Sequence, residues 1–258
     1  MMRAASNERG RLAAWLLTVT EWTRVWLALA GVGAALAAGS VIIFPRRVPV
    51  AAAEAPKRGG LLGAALRTPA VLVAGLFLAA YVGLEISVGN WGFSFLTAGR
   101  ALPELLAGYT ISGYWLGLTV GRLVITPITG RAGLGPAGST FVCLAGVIAI
   151  GLLVLASPLA AVTMVGLVLL GFFLGPLFPT TMAVMPGLTE ARLVPSAIGV
   201  ISVFSVVGGS GLPWLAGYLA QRVGLWTLFP FVLLLALVLI GLWRVLAARL
   251  RTPVAVEA

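Results

Sequence analysis

Long apolar runs without charged residues dominate this chain. Residues 25–44 contain no charged side chain, and residues 132–189 contain none either. About 20 residues of α-helix cross the hydrocarbon core of a bilayer. The first run is therefore long enough for one span, and the second is long enough for two spans joined at a turn near Ser157 and Pro158. This pattern predicts an all-α integral membrane protein.

Breaks at proline, glycine and charged residues divide the chain into seven predicted spanning helices. The first covers 24–44 and follows an apolar stub at 11–20, which is too short to cross alone and looks like the tail of a truncated helix. A basic linker rich in proline, alanine and glycine is predicted at 45–68. A six-helix domain is predicted at 69–258, with helices at 69–97, 103–127, 139–156, 160–182, 195–217 and 226–248.

Composition and charge support this interpretation. The chain is 60% hydrophobic and only 9% charged, whereas soluble domains carry roughly 25% charged residues. If the 45–68 linker is cytoplasmic, 14 of the 17 Lys and Arg residues fall on the cytoplasmic side, and the exceptions are Arg24, Arg100 and Arg222. This distribution follows the positive-inside rule. It predicts a multi-pass protein of the inner cell membrane with a cytoplasmic C-terminus, and it explains the net charge of +10 without nucleic acid.

The side-chain inventory restricts the possible chemistry. The chain has no histidine and no aspartate, and its single cysteine, Cys143, lies in an apolar run. Zinc sites, Ser-His-Asp triads and two-metal carboxylate clusters therefore lack their usual residues. We expect neither an enzyme nor a metal or cofactor site. The expected partners are the lipid bilayer and a small solute.

Several segments together resemble the C-terminal half of a major facilitator superfamily transporter, in its fucose-permease-like sugar branch. The segments are YVGLEISVGNWGFSFL (81–96), GYWLGLTVGRL (113–123), GFFLGPLFPT (171–180) and GGSGLPWLAGYLAQRVGLW (208–226). The resemblance implies six helices preceded by one more from the N-terminal half, with the earlier helices of that half missing. It also implies rocker-switch transport of a small polar solute, a sugar, coupled to H⁺. A chain of this kind is either truncated or a half that needs a partner chain, and a non-transporting membrane subunit is the alternative.

Glu85 is the first candidate site residue. A carboxylate in mid-membrane costs roughly 2.5 to 3.5 kcal/mol on insertion scales. It is either a solute or proton site, or a structural group bonded to a neighbouring helix. Tyr81 shares its helical face, whereas Asn90 lies on a different face. We therefore expect the helix to break around Asn90 and Trp91, which glycines flank, so that both side chains face a solute cavity. Trp91 is equally well suited to anchor the helix at the membrane interface.

The next predicted helix adds further candidates. Tyr114 and Trp115 flank a stripe of small residues and either face the cavity or pack in the interior. The resemblance implies a cytoplasmic gate in which Arg122 and Arg131 pair with acids such as Glu190. Simple positive-inside charge is the other explanation for both arginines.

Overall fold

The computed structural model describes residues 24, 27, 30–40 and 58–250. The chain divides into two compact units, Met1–Pro56 and Lys57–Ala258. Within the first unit, Ala30–Ser40 forms an apolar α-helix (α1) that is shorter than a membrane span. The predicted stub at 11–20 and most of the remaining 24–44 helix lie outside the described residues.

The described part of the second unit is built of helices without strands, which confirms the predicted all-α class for these residues. Among the residues that the structure describes, six helical segments are long and apolar enough to cross a membrane. Their helices are α3 (Pro69–Ser94), α4 (Glu104–Arg131), α5 (Pro136–Ala156), α6 (Ala160–Leu174) with α7 (Leu177–Val184), α8 (Val194–Arg222) and α9 (Leu228–Leu250). Helix α3 continues through a π-helical turn, Phe95–Gly99.

A helix also occupies most of the described part of the predicted linker. Helix α2 covers Arg58–Arg67. Its sequence contains three glycines and little amphipathic pattern, and local propensity therefore does not favour a helix. Packing explains the difference, because α2 contacts α8 and the short turn Ala191–Leu193, and Ala65 is fully buried.

Helix α4 runs to Arg131, past the predicted end at 127. Proline usually stops or bends a helix because it lacks an N–H and its ring meets the preceding turn. Here the helix continues through Pro127, as membrane helices often do. Arg122 therefore lies inside the helix, more than two turns before its last residue.

Helix α3 is the central element of the second unit. It packs mainly against α8 and α9, while α4 packs against α6, and α5 packs against α6 and α9. The most apolar stretch of α3 is 67% buried, whereas that of α4 is only 28% buried. Cys143 on α5 is buried in the same core.

Glycines bring helix backbones into direct contact. A Cβ at Gly121 on α4 would overlap the carbonyl of Phe172 on α6, and one at Gly208 on α8 would overlap the backbone of Ala79 on α3. Close approach through small residues is the usual way in which helices associate in a bilayer.

Candidate functional site

An ion pair between Glu85 on α3 and Arg122 on α4 lies at the centre of the candidate site. A terminal guanidinium nitrogen of Arg122 is 3.7 Å from Oε1 of Glu85. The carboxylate is the hidden partner, since its side chain is 10% exposed and that of Arg122 is 44% exposed. The pair therefore presents its positive end to the surroundings and keeps its negative end inside the helix bundle.

The break between α6 and α7 fixes Arg122 from a second direction. In an α-helix the carbonyl of Gly175 would accept a hydrogen bond from the residue four positions later, which is Pro179 and has no N–H. The Nε of Arg122 donates to this carbonyl, at 3.3 Å. The break at Gly175 and Pro176 therefore also provides a hydrogen-bond acceptor for the arginine.

Two buried tyrosines surround the carboxylate. The hydroxyl of Tyr114 donates to the backbone carbonyl of Glu85 at 3.0 Å. The hydroxyl of Tyr81 makes no hydrogen bond of standard geometry, but it lies within electrostatic reach of both Glu85 and Arg122. Both side chains are fully buried. In this structure they support the ion pair from inside the bundle and do not reach its open face.

The expected break around Asn90 and Trp91 does not occur, because α3 is continuous from Pro69 to Ser94. The flanking glycines serve packing instead. A Cβ at Gly89 would overlap the ring of Trp115, and one at Gly92 would overlap the side chain of Ile111. That prediction is therefore wrong, and Asn90 is exposed on the open side of an unbroken helix.

Trp91 connects α3 to α8. Its Nε1–H donates to the carbonyl of Pro213 at 2.9 Å. Its ring lies where a Cβ at Gly217 would be. These contacts are those of an interhelical anchor, and the ring is only partly exposed.

A line of polar and aromatic side chains runs along the exposed surface of α4, at alternating spacings of three and four residues. We call it the polar stripe, and its members are Ser112, Trp115, Thr119, Arg122 and Thr126. Residues with this spacing share one helical face. The adjoining face of α4 is apolar and exposes large leucines such as Leu116 and Leu123. Helix α4 thus has two exposed surfaces of different chemistry.

The polar stripe lies on the side of α4 that faces α3. Trp115 packs on Gly89 of α3, and Arg122 reaches Glu85 of the same helix. The Trp115 side chain is 38% exposed. Of the candidates predicted from sequence, the structure brings together Glu85, Tyr81, Tyr114 and Arg122 in one cluster. Trp115 packs on α3 at Gly89, whereas Asn90 is exposed.

A cleft of about 610 Å³ opens beside Arg122. It lies between the last turns of α4, the start of α5 and helix α7. Hydroxyl groups contribute to its walls, and its polar lining residues are Arg122, Thr126, Thr129, Ser139 and Thr180. The cleft gives the exposed part of the guanidinium an approach from outside the bundle.

The predicted gate residues are separated in this structure. Glu190 pairs with Arg192 through an Nε–Oε2 contact of 2.6 Å, whereas Arg122 pairs with Glu85. The pairing of Arg122 with Glu190 is therefore not the one observed. Arg131 is exposed in the last turn of α4. The gating role of these residues stays a prediction.

Comparison with known proteins adds one relative. No protein-family model matches the chain. The chain is similar to Bypass of stop codon protein 6 of Saccharomyces cerevisiae (strain ATCC 204508 / S288c), at 32% identity over 190 residues. The match covers 64% of this chain and 38% of the yeast protein, so the chain spans well under half the length of that relative. The resemblance to major facilitator transporters stays a prediction.

Proposed function

We propose that this chain is part of a secondary active transporter for a small polar solute and forms one wall of its solute pathway. The observation that carries the proposal is the Glu85–Arg122 pair at the edge of the polar stripe. Ionisable groups inside membrane-spanning helices are costly, and those that occur usually face a bundle interior or a watery cavity. A stripe of polar side chains next to a lipid-compatible leucine face on α4 is the surface expected of such a cavity wall.

In this proposal the chain corresponds to the C-terminal six-helix half of a major facilitator bundle, and the second wall comes from an N-terminal half. Alternating access is then the rocking of two halves around a solute held between them. Movement of α4 relative to α3 and α6 would change the distances from Arg122 to Glu85 and to the Gly175 carbonyl, and this would link the ion pair to the access state. We further propose an inner-membrane location, a sugar-like solute and coupling to H⁺.

Uptake by cells tests the transport proposal. Cells that express the protein from its own gene are given a panel of labelled monosaccharides and sugar acids, with and without an ionophore that collapses the proton gradient. We expect uptake of at least one solute, a decrease with the ionophore, and a decrease in Glu85→Gln. Glu104→Gln is the matched control, because it removes the same charge from an exposed position in the first turn of α4. Background uptake of the whole panel at normal expression would contradict the proposal.

The alternative is a membrane subunit that does not transport alone and needs a partner chain. The exposure of the polar stripe favours this candidate, because polar and charged side chains facing lipid would be unfavourable. Affinity purification from mild detergent after chemical cross-linking tests it. A stoichiometric second membrane protein, cross-linked through a cysteine introduced at Ser112, would support the subunit. A cross-link formed only within the chain would contradict it.

A further inference from the structure

The open face of the candidate site carries positive charge only. Among the described residues, Arg122 is the one charged member of the polar stripe and of the cleft beside it. Glu85, which neutralises it, lies behind it and is nearly hidden. The other described acids are elsewhere, since Glu104 begins α4 and Glu190 pairs with Arg192. A solute that arrives through the cleft meets a cation first.

The guanidinium of Arg122 has more N–H donors than its contacts with Gly175 and Glu85 use. An arginine side chain carries five N–H donors in a planar fork. Here Nε donates to the Gly175 carbonyl at 3.3 Å, and a terminal nitrogen is 3.7 Å from Glu85. Both contacts are longer than the 2.7 to 2.9 Å that is typical of strong charge-assisted hydrogen bonds. The pair with Glu85 is thus a loose contact, and the exposed edge of the fork is available to a planar oxyanion.

The neighbourhood of Arg122 suits an organic anion of small size. Trp115 lies two turns along the same stripe, about 10 Å away by helix rise. Its exposed indole offers a flat surface for the ring of a solute. The Thr119 position lies between the two, and Thr126 and Thr180 add hydroxyls on the cleft side. Along the stripe the aromatic face comes first, then the Thr119 hydroxyl and the cation, and the Thr126 and Thr180 hydroxyls lie on the cleft side of the cation.

We propose that the solute is a small organic carboxylate, such as a sugar acid, whose carboxylate binds Arg122 in competition with Glu85. This inference rests on the proposed transport function and names the substrate class of the same site. Without solute, Glu85 neutralises the arginine. When the solute binds, its carboxylate replaces Glu85 as the partner of the Arg122 guanidinium, which keeps its contact with the Gly175 carbonyl.

Competition has a consequence that a purely structural ion pair does not have. If Glu85 and the solute compete for one guanidinium, Glu85→Gln removes the competitor and strengthens binding of the anion. The same substitution slows transport, because the empty site then holds an unneutralised charge during the return step. Binding and uptake are therefore expected to change in opposite directions in this variant.

The test compares D-glucuronate with D-glucose, two solutes with the same ring that differ by a carboxylate. Dissociation constants are measured by isothermal calorimetry on the purified protein in lipid nanodiscs. We expect glucuronate to bind at least tenfold more tightly than glucose, since a hydrogen-bonded charge pair is worth at least that factor. Arg122→Gln should lose at least tenfold for glucuronate, and Arg122→Lys, which keeps the charge but not the fork, should lose less.

Arg244→Gln is the matched control, because it removes an arginine from α9, outside the stripe and the cleft, and it should bind glucuronate as the wild type does. If Arg122→Gln does not fold, Glu85→Gln decides the question, and unchanged or weaker binding of glucuronate in that variant would overturn the proposal. Equal binding of glucose and glucuronate would overturn it while leaving transport intact. Binding of neither sugar by the wild type also overturns the anion assignment, and the uptake panel then decides on transport separately.

Discussion

The unequal burial of the two partners in the Glu85–Arg122 pair predicts unequal effects of removing either one. Arg122→Gln leaves a carboxylate that is 10% exposed and has lost its counter-charge. Glu85→Gln leaves a guanidinium that is 44% exposed and still donates to the Gly175 carbonyl. Both substitutions remove the same ion pair. We expect Arg122→Gln to destabilise the protein more.

The magnitudes follow from distance and burial. Two unit charges at about 4 Å attract by about 4 kcal/mol at an effective dielectric constant of about 20, and desolvation of the carboxylate offsets part of this. Stranding a buried charge costs about 3 to 5 kcal/mol in well-buried pairs. Exposure of the arginine weakens the pair, so we expect a loss of about 2 to 3 kcal/mol for Arg122→Gln. Removing the carboxylate should cost about 1 kcal/mol or less, as for exposed pairs.

The assay is reversible unfolding of the purified protein in mixed micelles, with the free energy of unfolding obtained from tryptophan fluorescence. The double variant Glu85→Gln with Arg122→Gln belongs in the series, because it strands no charge and should be more stable than Arg122→Gln alone. Arg244→Gln controls for the loss of one arginine. Equal losses for the two single variants, or a larger loss for Glu85→Gln, would refute the reasoning.

Three further substitutions and one control test helix packing and the contacts of Arg122. Gly121→Ala places a Cβ on a carbonyl of the facing helix and should lower the unfolding free energy by about 2 kcal/mol. In the control Gly108→Ala, on the same helix, the added Cβ meets no atom within 4 Å, and the substitution should be neutral or stabilising. Equal effects of the two substitutions would contradict the packing. Trp91→Phe loses one interhelical hydrogen bond and should cost about 1 kcal/mol, and an unchanged melting temperature would count against that bond. Pro179→Ala supplies an N–H that competes for the Gly175 carbonyl, so uptake should fall while the melting temperature stays the same or rises; unchanged uptake would show that this contact is dispensable.

Glu85 could be recognised from the sequence because a lone carboxylate in a spanning helix is energetically expensive. Its partner could not, since Pro127 suggested that α4 ended soon after Arg122. That end placed the arginine at the membrane surface, where positive charge needs no partner. The structure shows instead that α4 continues to Arg131 and that Arg122 reaches Glu85 on α3.

The glycines around Asn90 show a second limit of sequence reasoning. A glycine in a helix either weakens it or allows a close approach, and the sequence does not distinguish the two. The choice depends on side chains from α4, Trp115 and Ile111, which occupy the space that a Cβ would need. The members of the polar stripe have helical spacing in the sequence, but serine and threonine alone are weak evidence for a polar face on an apolar helix. The structure identifies this face, because these side chains are exposed on one side of α4.

The burial of Cys143 has a practical consequence for mapping the wetted surface. It is the single cysteine in the sequence, and its side chain is enclosed in the core. The native protein should therefore react slowly with water-soluble thiol reagents. Cysteines placed one at a time along α4 would then report, by their labelling rates, where the boundary between water and lipid runs on this helix.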